Sequence, residues 1–240
     1  ANCCTGKKGL DDSVTIITAL SKQLKLARRD ILIASTGVIG KYLPLEKITK
    51  SIPKLVKGLN FNKAKAAAKA IMTTDTFSKQ IAVELKIKNK PIRIGAMAKG
   101  AGMICPNMAT MLCFITTDAN INTAALKKAL KAAVDVSFNS ISIDGQMSTN
   151  DTVIIMANGL AGNAQIKQDS REFKMFSNAL LFVCKELAKM IVRDGEGATK
   201  FIEILVESAR TKAQAETAAR AIADSLLVKT MIAGNNPNWG

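Results

Sequence analysis

Residues 99–110 read Lys99-Gly100-Ala101-Gly102-Met103-Ile104-Cys105-Pro106-Asn107-Met108-Ala109-Thr110, a small, Gly-rich run ending in a threonine that opens the apolar stretch Met111-Leu112-Cys113-Phe114-Ile115. A hydroxyl nucleophile needs a proton acceptor, usually histidine, and this chain contains no histidine. An N-terminal threonine escapes the requirement, because its own α-amine can take the hydroxyl proton. That solution requires the chain to break between Ala109 and Thr110. A free α-amine titrates near ~7.7–8.0, which leaves a useful unprotonated fraction at neutral pH, as a general base requires. On spacing alone Thr110 could equally be an ordinary residue opening a buried strand.

Four further groups of residues could serve such a nucleophile. Ser35-Thr36-Gly37 follows the short apolar segment Ile31-Leu32-Ile33-Ala34. A tight turn there can aim a backbone N–H and a hydroxyl at one point, as an oxyanion hole demands, although Thr-Gly is also a common capping turn. Lys99 lies beside the Gly-rich run, where a cation suits capture of a carboxylate. In Asp194-Gly195-Glu196-Gly197-Ala198-Thr199 the glycines on either side of Glu196 allow close backbone approach to a ligand; an exposed turn is the alternative. The polar loop Asp144-Gly145-Gln146-Met147-Ser148-Thr149-Asn150-Asp151 could bind a ligand or simply cap local backbone.

Composition narrows the setting. The 240 residues are 48% hydrophobic and 22% charged, enough for a sizeable core. No apolar run reaches the ~20 residues that span a bilayer, and the N-terminus lacks the apolar core of a signal peptide. The net charge of +15 raises nucleic-acid binding as an option. However, Lys far outnumbers Arg and aromatics are 4% of residues, which argues for a solvated lysine-rich surface or an anionic small substrate. Five cysteines without a C-x-x-C pair, and no histidine, give neither a disulfide framework nor a metal site; they read as reduced, mostly buried thiols. On this view the Asn150-Asp151-Thr152 sequon is chance.

Alternating elements must position these residues. Helices are predicted over 11–27, 45–59 (broken near Pro53), 62–72, 123–138, 171–192 and 213–227. Strands are predicted over 31–34, 80–88, 92–98, from Thr110 onward, 153–156 and 200–207, with Asn89-Lys90 as a turn. Leu126, Leu130 and Val134 form an i, i+4, i+8 stripe on the fourth helix. Mixed elements with no linker or repeat predict one layered α+β domain.

Taken jointly, Ser35-Thr36-Gly37-Val38-Ile39-Gly40, Met72-Thr73-Thr74-Asp75-Thr76, the run from Lys99 to Leu112, Ser148-Thr149-Asn150-Asp151-Thr152 and Asp194-Gly195-Glu196-Gly197-Ala198-Thr199-Lys200 resemble the ornithine acetyltransferase family, the self-processing glutamate N-acetyltransferases of arginine biosynthesis. Their order is the family's order and they span nearly the whole chain. The resemblance implies a layered α/β sandwich of the self-processing ornithine acetyltransferase and aminopeptidase type. It implies cleavage between Ala109 and Thr110, dividing an α-chain portion (1–109) from a β-chain portion (110–240). Thr110 would be the nucleophile that carries acetyl from N-acetylornithine to glutamate through an acetyl-enzyme. Thr36 and Gly37 would form the oxyanion hole, and Thr73 (or Thr74), Lys99, Thr110 and Glu196 would bind substrate. From charge, Lys99 suits the substrate carboxylate and Glu196 its amine.

The resemblance further implies no metal and no resident cofactor, with acetyl-CoA an open question as a second acetyl donor. It implies α/β chains assembled as a heterotetramer, no nucleic-acid or membrane partner, and a cytoplasmic location. Family members are longer, so this chain is expected to be a central piece, with an Asn and a Ser/Thr of the family's pocket beyond Gly240. The competing enzyme reading is a related self-processing aminopeptidase or amidohydrolase, in which water accepts the acyl group.

Overall fold

The computed structural model describes residues 2–104 and 111–237. Its centre is a four-stranded sheet in the order β1 (Lys79–Ile87), β2 (Lys90–Lys99), β3 (Leu112–Thr117) and β4 (Thr152–Ala157). The first two pairings are antiparallel and the third is parallel. Lys88 and Asn89 close the β1–β2 hairpin with φ of 45° and 64°, the left-handed turn that matches strand twist. The predicted turn is thus displaced by one residue toward Lys88.

Alternation along the strands decides which face is covered. Ile81 and Val83 on β1, Ile92, Ile94, Ala96 and Ala98 on β2, and Cys113 and Ile115 on β3 belong to or pack against one core. The pleat sends these alternate residues to a single face. That face is covered by α5 (Arg171–Arg193), which packs on β1 and β2, with α4 (Thr123–Asp135) packed against α5. Phe173, Phe176, Leu180, Val183, Cys184, Leu187, Ala188 and Ile191 form the buried stripe of α5, at the helical spacing. On α4 the buried residues are Ala125, Ala129, Ala133 and Val134. Leu126 and Leu130 from the expected stripe pack only partly buried against the core. Alanines let α4 approach α5 closely, so the larger leucines sit at the margin.

Local signals explain the helix starts. Asn122 caps α4 by accepting from the Ala125 N–H at 2.7 Å, and Ser170 caps α5 by accepting from the Phe173 N–H at 3.0 Å. The outer helices are α1 (Gly6–Leu24), α2 (Leu45–Lys57), α3 (Ala64–Ala70), α6 (Lys212–Asp224) and α7 (Leu226–Ala233). Helix α2 runs through Pro53 without the expected break, because Ile52, 4% exposed, is held against α1 and outweighs one lost backbone hydrogen bond. Helix α1 starts earlier than expected and ends at Leu24, where Lys25 adopts φ 55°. The helix expected over 62–72 splits into a 3-10 turn and α3, and the last expected helix divides at Ser225 into α6 and α7.

Two expected strands do not form. Residues 31–34 and 200–207 have no ladder partner among the described residues. Phe201, Ile202 and Ile204 instead line a groove beside α5 and α6. Of the described cysteines, Cys113 and Cys184 are buried, but Cys3 is half-buried and Cys4 exposed, so among the described residues burial of the thiols holds for the core pair; Cys105 lies outside them. Burial pushes the Cys184 thiol up to about 12. No described helix is long and apolar enough to cross a membrane. The architecture is mixed α+β, a sheet layer against a helix layer, as expected.

Candidate active site

Three strand ends meet at one edge of the core. Lys99 on β2 lies opposite Leu112 on β3, and Leu112 lies beside Thr152 on β4. These residues occupy the sheet face turned away from α4 and α5, by the period of two. The segment 105–110 joins Ile104 to Met111 at this edge. Ala109 and Thr110, the expected cleavage pair and nucleophile, lie outside the described residues, as does the boundary between the two expected chain portions.

Lys99 is 2% exposed and has no hydrogen-bond or ion-pair partner among the described residues. Desolvation lowers its pKa, partly offset by the negative charges of Asp75, Asp151 and Glu196. A cation drawn this far out of water is unfavourable unless an anion joins it, which makes Lys99 a candidate to receive one.

Carboxylates hold the backbone at this edge. Asp75 accepts from the Gly100 N–H at 2.8 Å and from the Thr73 N–H at 3.1 Å. The same carboxylate takes a hydrogen bond from Lys79 Nζ at 2.7 Å, and Lys79 also bonds Asp194 at the end of α5. Asp194 in turn accepts from the Thr76 N–H and hydroxyl. Lys79, Asp75 and Asp194 are all essentially buried. Desolvation alone would raise the Asp75 pKa, but the Lys79, Gly100 and Thr73 donors overcome it and leave the carboxyl below its ordinary value. This cluster ties Thr73 and the backbone next to Lys99 to the loop that carries Glu196.

The Gly-rich run is fixed from two more directions. The Glu196 N–H donates to the Ala101 carbonyl at 2.7 Å, and the exposed Glu196 carboxyl rests over Gly102, where a Cβ would stand 2.9 Å from it. Asp144 accepts from the Ile104 N–H at 2.9 Å, and the Ile143 N–H donates to the Ile104 carbonyl at 2.7 Å. Next to β3, Asp151 Oδ1 accepts from the Met111 N–H at 2.8 Å. Asp151 Oδ2 is buried with no hydrogen-bond partner among the described residues. Burial raises the Asp151 carboxyl to about 6, against the opposing Met111 N–H and the Lys99 charge.

The Ser35-Thr36-Gly37 turn reaches the same region. Ser35 lines a polar cleft of about 260 Å³ together with Ser13, Thr149, Asn150, Asp151 and Thr152. Thr36 is half-buried and Gly37 exposed at φ 143°.

Thus the backbone around Thr73, Lys99 and Glu196 is linked through one hydrogen-bonded frame, and Ser35, next to Thr36 and Gly37 in sequence, shares a cleft with Asp151. The sequence reading missed the frame itself: Asp75, Lys79, Asp144, Asp151 and Asp194. Asp144 caps local backbone at the Gln146 N–H, as expected, and also the Ile104 N–H 40 residues away, whereas Asp151 caps the distant Met111 N–H. The available signal was that each of these aspartates sits beside glycine, threonine or asparagine in a quoted motif; Lys79 gave none.

A mixed α+β fold with a Gly-rich loop framed by a buried cation and carboxylates defines an enzyme-like site, and comparison with known proteins makes the class specific. The ArgJ family model matches residues 1–240, and the chain belongs to the ArgJ family. It is 49% identical over its whole length to the arginine biosynthesis bifunctional protein ArgJ of Geobacillus kaustophilus, covering 58% of that protein. It is 50% identical to the glutamate N-acetyltransferase of Methanocaldococcus jannaschii, covering 59% of it. The crystal structure of ArgJ from Bacillus halodurans matches at 47% identity with a TM-score of 0.51, over 53% of this chain and 60% of that one. The chain therefore spans under two thirds of the length of these relatives.

Proposed function

We propose that the protein containing this chain is an acyltransferase that moves acetyl from N-acetylornithine to glutamate, with Thr110 as nucleophile after self-cleavage at Ala109–Thr110. The observation that carries the reading is Lys99, a buried cation lacking a described partner beside the segment that ends in Thr110. An α-carboxylate, common to both substrates, is the anion it suits. The names of the relatives support the same chemistry.

In the cleavage step the Thr110 hydroxyl attacks the Ala109 carbonyl carbon, and the peptide C–N bond breaks as an ester C–O bond forms. Water then hydrolyses the ester, leaving the Ala109 carboxylate and a free Thr110 α-amine. In turnover that amine takes the hydroxyl proton as Oγ attacks the acetyl carbonyl. The proton passes to the departing ornithine amine, and the acetyl group stays on Oγ. The glutamate amine then attacks the acetyl ester and releases N-acetylglutamate. Thr36 and Gly37 stabilise the oxyanion of each tetrahedral intermediate, while Lys99 holds the carboxylate and Glu196 the side-chain or α-ammonium group. Thr73 binds substrate from the loop that Asp75 anchors.

The scheme uses no metal or resident cofactor, and acetyl-CoA is an additional acetyl donor to test. The cleaved chains assemble as α/β pairs in a heterotetramer, in the cytoplasm. Isotope-labelled N-acetylornithine supplied with glutamate to the full-length protein tests the reaction. Label in N-acetylglutamate is the expected result; label released only as acetate assigns the site to a hydrolase instead.

A further inference from the structure

Cys3 and Cys4 are adjacent thiols with their sulfurs 3.8 Å apart, Cys3 half-buried and Cys4 exposed. The scheme above gives them no task. They differ from Cys113 and Cys184, which burial keeps protonated and inert. A hydrogen bond with the Thr149 side chain lowers the Cys3 pKa against the opposing effect of burial, and a bond with the Cys4 thiol adds to it. The same contact with Cys3 raises the pKa of Cys4. A partly exposed thiolate beside a protonated thiol is the arrangement of an oxidisable cysteine with its resolving partner. Cys4 also sits at φ 55°, a left-handed conformation that residues other than glycine rarely adopt. The peptide between the two cysteines is tied to the candidate active site, because its carbonyl, that of Cys3, accepts from the Gly40 N–H at 2.8 Å. Gly40 ends the segment that begins with Ser35-Thr36-Gly37. On the other side of Cys3, Asn2 lines the polar cleft shared by Ser35, Thr149 and Asp151.

We propose that Cys3 and Cys4 form a redox modification site, closed by a peroxide to a vicinal disulfide and reopened by thiols, whose closure draws the Cys3 carbonyl away from Gly40. The Cys3 thiolate attacks one peroxide oxygen, the O–O bond breaks, and Cys3 becomes a sulfenic acid as hydroxide leaves. The Cys4 sulfur then displaces the sulfenic hydroxyl, which departs as water with the Cys4 proton, and the S–S bond forms. The sulfurs are oxidised and the peroxide is reduced. Adjacent residues hold their Cα atoms only about 3.8 Å apart, short of the ~4.4–6.8 Å that a relaxed disulfide spans. Such a bond is strained and easily reduced, which suits a reversible switch and not a structural staple. The ring so formed contains the Cys3–Cys4 peptide itself. Drawing the sulfurs from 3.8 Å to about 2.05 Å rotates that peptide, and the carbonyl bound to Gly40 rotates with it. The disulfide stands on this geometry alone, while its effect on acyl transfer, through the Thr36–Gly37 turn, rests on the function proposed above.

The test treats reduced full-length protein with hydrogen peroxide and reads alkylation, peptide mass and amide hydrogen exchange. Expected is a peptide carrying Cys3 and Cys4 that is lighter by about 2 Da, closed to alkylation and restored by dithiothreitol. The Gly40 amide should exchange about tenfold faster in the oxidised form, and acetyl transfer should fall about tenfold and return on reduction. In Cys3→Ser and in Cys4→Ser the mass change, the faster exchange and the peroxide-dependent loss should all vanish, while the untreated variants keep wild-type activity. Sulfenic or higher acids that persist at Cys3, or a link from either cysteine to a third cysteine or another chain, overturn the proposal. So does a Cys3–Cys4 disulfide that leaves Gly40 exchange unchanged. Protein that closes the disulfide and frees Gly40 but transfers no acetyl even when reduced supports the site and sinks the reading of function. Full acetyl transfer by the oxidised form sinks only the effect on catalysis.

Discussion

Lys99 and Asp151 carry opposite charges, act on each other, and neither completes an ion pair with a described residue. That arrangement costs stability, and the cost is measurable. The Asp151 pKa is raised from 3.8 to about 6 on folding, so the folded state binds its proton more tightly than the unfolded one. The contribution of Asp151 to stability is therefore greatest below about pH 4, falls as pH rises toward 6, and stays reduced above it. Asp151→Asn keeps an oxygen for the Met111 N–H and removes the charge. It should be more stable than wild type by about 1 kcal/mol at pH 8, after discounting for partial exposure, and no more stable at pH 4. Urea denaturation at the two pH values checks this. Lys99→Met preserves the packed stem and removes the anion receptor; KM for N-acetylornithine should rise about 10-fold or more, and an unchanged KM removes Lys99 from the site. Thr36→Ala should slow acyl transfer ~10²-fold, the scale of losing an oxyanion donor. At this scale Lys99 was legible because it borders the Gly-rich run. Asp151 was not, since its partner at Met111 is distant in sequence and a polar loop reads the same whether it caps near or far backbone.

At the scale of elements, the start of β1 and the end of α5 are joined through Lys79, with Asp75 and Asp194 on either side. Removing one member leaves buried charge uncompensated, so Lys79→Met should destabilise by about 3–5 kcal/mol, measured by denaturant titration. Gly102→Ala acts differently. The added Cβ would crowd the end of the Glu196 side chain, which can swing aside, so stability should hardly change while KM for the amine substrate rises. Unchanged KM would detach Glu196 from recognition. The β1–β2 hairpin was readable because turn chemistry is local. Residues 31–34 and 200–207 misled because an apolar run specifies burial and extension, whereas a strand also needs a partner edge, which no local pattern encodes.

At the scale of the molecule, the chain belongs to the ArgJ family yet spans 58% of the Geobacillus kaustophilus relative, so experiments on function belong to the full-length protein. The family resemblance was legible because five motifs keep one order along the chain; the carboxylate frame behind them was not, because most of its bonds join residues far apart in sequence. The central claim is that Thr110 makes itself a chain terminus. Intact mass of the full-length protein beside its Thr110→Ala variant tests that most directly. Two fragments meeting at Ala109–Thr110 in the wild type, and one uncut chain in Thr110→Ala, are the predicted result; the same cut in the variant, or a single uncut chain in an active wild type, would contradict it.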